Sequence, residues 1–187
     1  MAVVNDELNF IFLAEPRTAS RATRDALLKL EGSHEVGTHH HLIGDLLENY
    51  LDGRNSYVVF STIRNPADEM VTLWLQSGTR ARTHDGETFP EYIRRWGVDK
   101  PESFFFKHAE SADQVIRYEN LQKELDSLLQ SLGAPLVQLE VVGPTEGKEP
   151  WPRYYTLDDL WYIVSHYPEI AHWGYSDAIY QQIDLTT

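Results

Sequence analysis

Cysteine is absent from the 187 residues, which excludes a disulfide framework, thiolate catalysis and any cysteine-ligated zinc or iron–sulfur site. No run of 18 consecutive apolar residues occurs, and the opening MAVVNDELNF lacks a basic leader ahead of a long apolar stretch. The expectation is a protein with no stable membrane insertion and a cytoplasmic location. Basic residues are scarce, with 16 Lys and Arg against 29 Asp and Glu and a net charge of -13. That deficit argues against nucleic-acid binding, because the phosphate backbone requires a concentrated basic footprint. It does not argue against a small anionic ligand: local arrangement outweighs total charge, and Arg17, Arg21 and Arg24 stand close together.

What is present fits a folded chain. Hydrophobic residues at 42% and charged residues at 24% suit a globular protein rather than a disordered one. The length predicts one domain over residues 1–187. There is no internal repeat, low-complexity tract or heptad pattern.

Residues 9–14, NFIFLA, read as a buried strand, and helical spacing follows over 20–31 with Ala26, Leu27 and Leu30 facing a core and Ser20 as a cap. YVVFSTI, 57–63, predicts a second strand, and Pro66 suits the first turn of the helix after it. ADQVIRY, 112–118, gives a third strand before a helix over 120–131 that stops at Gly133. Further helices are expected at 42–51, at 89–96 and after Thr156, whose hydroxyl is a suitable cap. Repeated strand-to-helix steps predict an α/β fold, three-layer α/β/α, with a mostly parallel central sheet.

The chemistry gathers where strands give way to helices. A loop there presents backbone N–H groups and the positive end of a helix dipole to a phosphate or sulfate. Residues 16–23 occupy such a loop, where Arg17 supplies a multidentate charge, Thr18, Ser20 and Thr23 supply hydroxyls, and Ala19 keeps the approach narrow. The plainer reading is that Arg17, Arg21 and Arg24 pair with acidic neighbours. The loop lacks the glycines and lysine of a nucleoside-triphosphate loop. A second arginine, Arg64, stands at the end of the second strand, again at the opening of a helix, with Thr72 two turns along. Two such strand ends point to a ligand with two separated anionic groups.

The pair FLAEPRTASRATRDAL and VVFSTIRNPADEMVTLW resembles the sulfotransferase family that uses 3'-phosphoadenosine 5'-phosphosulfate. Pro16, Arg17, Thr18, Ala19 and Ser20 match the family's loop of Pro, Lys or Arg, Ser or Thr, Gly or Ala, Ser or Thr, which binds the 5'-phosphosulfate. Arg64, Pro66 and Thr72 match a second motif whose arginine and hydroxyl contact the 3'-phosphate. RYENLQKELDSLLQSLG and the Tyr-rich end YYTLDDLWYIVSHYPEIAHWGY also resemble family segments, so the likeness covers most of residues 9–175. Arg17 stands where many members have lysine, Asn120 replaces an aspartate, and the chain is short for a family whose acceptor pocket usually comes from inserted segments.

The resemblance implies a P-loop-like sulfotransferase architecture and a metal-independent transfer of sulfate to a hydroxyl, less often an amine. Arg17 would contact the bridging or leaving oxygen, while Thr18, Ala19, Ser20, Arg21 and Ala22 would hold the phosphosulfate. Lys148 and Arg153 lie in the Gly- and Pro-rich segment VVGPTEGKEPWPRYY, where relatives close over the nucleotide. For the base, the run THHHLIGDLLENYL offers His40 as first choice by alignment with the family, with His39 and His41 as alternates. Adjacent histidines rarely converge on one ion, so no metal site is expected. The acceptor, whether phenol, saccharide or lipid hydroxyl, is not encoded in any motif, nor is the oligomeric state. A kinase-like phosphotransferase and a non-catalytic nucleotide-binding module on the same fold are the alternatives. Glu15, beside the loop, is expected to be turned away or paired, because its charge would oppose a phosphosulfate.

Overall fold

The structure, a computed structural model, describes residues 1–37, 57–79, 86–99, 105–106, 108–141 and 145–184. The run Phe10–Leu13 forms a fully buried strand, β2, as its branched and aromatic content predicts. One neighbour is a strand that the sequence pattern does not announce. Ala2–Asn5, β1, pairs antiparallel to β2 with Ala2 opposite Leu13 and Asn5 opposite Phe10. Ser33–Val36, β3, pairs antiparallel to the far side of β1. Asn5 joins the three strands: its side-chain oxygen accepts from the N–H groups of Glu7 and Leu8, and its amide donates to Glu31 O and Ser33 Oγ. A wholly buried amide is thereby satisfied at both ends.

On the other side of β2, Val58–Ile63, β4, runs parallel to it, and Gln114–Arg117, β5, runs parallel to β4. The order is β3-β1-β2-β4-β5. The protein is therefore α/β, but the expected mostly parallel sheet is corrected to a mixed one. β2, β4 and β5 are the three anticipated strands and are mutually parallel, while β1 and β3 add an antiparallel edge. Ser33–Val36 carries only one buried residue, so no apolar run marks it as a strand.

The described helices are α1 (Ser20–Leu27), α2 (Pro66–Thr79), α3 (Phe89–Asp99), α4 (Leu121–Ser131), α5 (Leu157–His166), α6 (Glu169–His172) and α7 (Ser176–Asp184). The first ends four residues before the expected limit, in a turn closed by Leu30 N–H on Leu27 O. The helix expected at 42–51 lies outside the described residues.

Contacts divide the chain into two compact units. Met1–Ile63 with Phe106–Gly143 carries the sheet, α1 and α4. Phe10, Phe12 and Phe60 stack on one sheet face at ring separations of 5.7 and 5.2 Å, and Leu27, Leu125 and Leu129 pack in the same cluster. Burying each such side chain contributes about 2 kcal/mol. Helix α4 stops where Gly133 turns to φ 69, with Ala134 N–H returning to Leu129 O. Val4, Ile11, Leu13, Val36 and Val59 form a separate apolar cluster.

Arg64–Phe105 with Pro144–Thr187 carries helices and no strand among the described residues. Thr156 caps α5 as predicted: its hydroxyl accepts from Asp159 N–H, and the Asp159 carboxylate accepts from Thr156 N–H. Asp159 is buried and pairs with Arg94 at 2.9 Å. The C-terminal aromatics mostly fill this unit, with Phe89 meeting Trp74, Tyr154 and Tyr155 and Trp151 meeting Tyr155. Phe105 is buried and packs on Tyr167 at 5.1 Å. No described helix is long and apolar enough to cross a membrane.

Candidate functional site

The first anion loop spans residues 14–19, between the end of β2 and the start of α1. Its shape is set by Thr18, which is wholly buried. The Thr18 hydroxyl donates to Glu15 O at 2.9 Å and so accepts from the Thr62 hydroxyl on β4. The residues on either side take left-handed backbone angles, Arg17 at φ 66 and Ala19 at φ 60. Such angles cost a non-glycine residue about 1 kcal/mol each and persist only where the surroundings hold them. A left-handed residue followed by helical ones turns successive N–H groups toward one concavity.

The N-cap of α1 is Ala19, not Ser20. A capping residue needs non-helical angles, and the turn fixed by Thr18 brings the chain into the helix with Ser20 already at the first helical position. The first turn of α1 consequently has no side-chain cap and no acidic residue. No acidic residue of that turn offsets its amide dipoles, an arrangement that favours an anion.

The other loop residues divide between the two readings. Ser20 is half-buried and Arg21 exposed, and neither forms a hydrogen bond or ion pair among the described residues. Ala22 is buried. Thr23 is buried too, and its hydroxyl donates back to Ala19 O at 3.3 Å, which takes it out of the proposed donor set. Arg24 pairs with Asp25 at 2.6 Å and Glu35 at 4.0 Å, so the plainer ion-pair reading holds for that arginine. Glu15 is buried and accepts from the backbone N–H of His108 at 2.7 Å, the pairing its position required. His108 was not singled out by any pattern; its only signal is its place beside the apolar run at 104–106.

The second anion motif opens the helical unit. Asn65 caps α2, its side-chain oxygen accepting from Ala67 N–H at 2.9 Å, and Pro66 takes the first helical position. Asp68 and Thr72, four residues apart, share a face of α2, and Arg64, two residues before the helix, reaches the first of them. Arg64 is only 6% exposed and donates through Nε at 2.8 Å and through Nη2 to the Asp68 carboxylate. Lys148 arrives at the same carboxylate at 2.5 Å and also donates to Thr72 Oγ1 at 3.0 Å. Arg64 and Thr72, which the resemblance matches to a 3'-phosphate motif, and Lys148, from the segment where relatives close over the nucleotide, thus meet around one acid.

The late segment is tied along α2 at further points. Gln76 donates to Thr145 Oγ1 at 3.2 Å, and the Tyr155 hydroxyl donates to Ala67 O at 2.8 Å. Burial lowers the pKa of Lys148 below the ordinary lysine value; the hydrogen bond to Asp68 opposes that fall and the Arg64 charge adds to it. Burial raises the Tyr155 hydroxyl well above the ordinary tyrosine range. Arg153 is not in this cluster: it is exposed and pairs with Glu149 one helical turn away at 2.6 Å.

His39, His40 and His41 lie outside the described residues, so the structure says nothing of the base. Among the described residues no group of His, Asp and Glu is placed to hold a metal ion. Chemically, the first loop offers backbone N–H groups to an anion and the second cluster offers charged side chains. No protein-family model, curated protein or solved structure matches the chain.

Proposed function

We propose that the protein is a sulfotransferase that moves the sulfuryl group of 3'-phosphoadenosine 5'-phosphosulfate to a hydroxyl acceptor. The observation that carries this reading is the meeting of Arg64 and Thr72, which the resemblance assigns to the 3'-phosphate, with Lys148 from the segment where relatives close over the nucleotide. Taken by itself, the uncapped start of α1 favours an anion, in the loop that the resemblance matches to the 5'-phosphosulfate. The finer architecture, a three-layer P-loop-like sulfotransferase fold, and a cytoplasmic location belong to the same proposal.

The donor supplies a sulfuryl group on a good leaving phosphate. In the transfer the acceptor oxygen bonds to sulfur, the bond from sulfur to the bridging oxygen breaks, and the electron pair leaves on the 5'-phosphate. The N–H groups of Thr18 to Ala22 hold the phosphosulfate oxygens, and Arg17 neutralises charge developing on the bridging oxygen. The acceptor proton goes to a base, for which His40 is first choice and His39 and His41 are alternates. Arg64 and Lys148 bind the nucleotide rather than the reacting atoms, and Arg153, paired with Glu149, contributes at most to closing the late segment. The acceptor is a small phenol, saccharide or lipid hydroxyl, and no metal takes part.

Calorimetric titration with 3'-phosphoadenosine 5'-phosphate, adenosine 5'-phosphate and ATP with magnesium tests the reading. Micromolar binding that depends on the 3'-phosphate is the expected result. Preference for ATP with magnesium would replace the reading by the kinase-like one. Binding of the 3'-phosphorylated nucleotide without sulfate transfer to any of a panel of phenols, sugars and lipid alcohols would leave a binding module.

A further inference from the structure

In the second anion cluster Lys148 and Thr72 are already saturated. The Lys148 ammonium has three protons and three acceptors: Asp68 Oδ1 at 2.5 Å, Asp68 O at 3.1 Å and Thr72 Oγ1 at 3.0 Å. The single proton of the Thr72 hydroxyl is directed to Asp68 O at 3.2 Å. Arg64 gives its Nε and Nη2 to the same carboxylate. On this inventory neither Lys148 nor Thr72 has a proton left for an incoming phosphate. Asp68 is itself well placed to stay, since it lies in the first turn of α2, where the helix dipole favours an acid.

We infer that Asp68 is a resident counter-anion that competes with the ligand's 3'-phosphate for Arg64, Lys148 and Thr72, and so sets the affinity and charge selectivity of this site. The inference rests on the sulfotransferase reading for the identity of the ligand. Two cations face two carboxylates there, because Glu69, 1% exposed, acts electrostatically on Lys148 together with Asp68. A phosphate dianion gains a net attraction only when the Asp68 carboxylate gives up the ammonium, and Lys148 then changes partner instead of adding one. The late segment, which reaches α2 partly through Lys148, shifts its attachment in the same event.

The test is calorimetry on the full chain and on Asp68→Asn with 3'-phosphoadenosine 5'-phosphate and adenosine 5'-phosphate. Removing the competing charge while keeping a hydrogen-bonding side chain is expected to tighten the 3'-phosphorylated nucleotide about tenfold and leave adenosine 5'-phosphate unchanged. In a Lys148→Met background the gain is expected to shrink, because one of the contested cations is gone. Weaker or unchanged binding in Asp68→Asn, with tight binding by the parent chain, overturns the inference and leaves the sulfotransferase reading standing; Asp68 would then be a positioning residue. Failure of both chains to bind either nucleotide overturns the reading and the inference together. Circular dichroism checks that the variant is folded, and Asp68→Thr, which keeps an acceptor for Lys148 without the charge, replaces it if not.

Discussion

The two strand-to-helix junctions solve the same electrostatic problem in opposite ways. At the first, α1 starts without a side-chain cap or an acidic residue, and the loop before it holds two left-handed residues in place through the buried Thr18 hydroxyl. At the second, α2 starts with an Asn65 cap and with Asp68 and Glu69 in its first turn, and the cations beside it are engaged by Asp68. The first junction is a backbone device, poised for an anion by its shape. The second is a side-chain device, strong in charge and offset by its own two acids, Asp68 and Glu69. A backbone device is sensitive to the angles of its residues and tolerant of which side chains they carry; a side-chain device is the reverse.

That contrast fails first, if it fails, at Arg64. Arg64→Ala is expected to weaken 3'-phosphoadenosine 5'-phosphate on the order of 100-fold, the worth of two charge-assisted hydrogen bonds, while adenosine 5'-phosphate changes less than about threefold. Equal losses for both nucleotides in calorimetry would show that the second junction does not read the 3'-phosphate. Next in size is Thr18→Val, which keeps the volume but removes the hydroxyl joining Glu15 O and Thr62. Urea denaturation should report a loss of about 2 kcal/mol, and a loss under about 0.5 kcal/mol would mean that the loop is held by something else.

Ala19→Val sharpens the comparison, since a branched side chain at φ 60 strains the turn that orients the amides. It should weaken both nucleotides alike, by about tenfold, whereas a loss confined to the 3'-phosphorylated one would reverse the assignment of the two junctions. The smallest effect belongs to Tyr155. Burial raises its hydroxyl pKa above the ordinary 10.0, so from that pH upward the unfolded chain releases a proton that the folded chain keeps. Stability therefore falls as pH rises beyond about 10. Tyr155→Phe should make that fall less steep in denaturation series at alkaline pH and should cost about 1 kcal/mol at neutral pH. An unchanged alkaline slope would place the hydroxyl in water.

What the sequence disclosed follows the same division. The strands at Phe10–Leu13, Val58–Ile63 and Gln114–Arg117 were legible, the first two from branched and aromatic runs, the third less so. The antiparallel edge was not, because the pairing of β1 with β3 depends on the buried Asn5, and an asparagine in a short apolar run reads as a turn. Arg64 and Thr72 were found by motif spacing, and Lys148 by its place in a Gly- and Pro-rich segment. Asp68 was equally available, midway in sequence between Arg64 and Thr72, but a search for groups that bind an anion passes over an acid. Thr18 looked like a ligand donor from its residue type, and only its burial revealed a structural hydroxyl.

Each unit is assembled from two separated lengths of chain, Met1–Ile63 with Phe106–Gly143 and Arg64–Phe105 with Pro144–Thr187. During synthesis the antiparallel strands β1 to β3 emerge first and need no later residue for their pairing. β4 must wait for β5 through more than forty residues that belong to the other unit, and the helical unit waits in turn for the segment carrying Lys148 and Tyr155. No contiguous fragment contains one unit whole without also carrying a partial copy of the other. The four lengths alternate between the units even in a circularised chain, so dissecting this protein requires point substitutions rather than truncation or permutation, and a fragment ending near residue 143 would carry every described strand but only the first length of the helical unit.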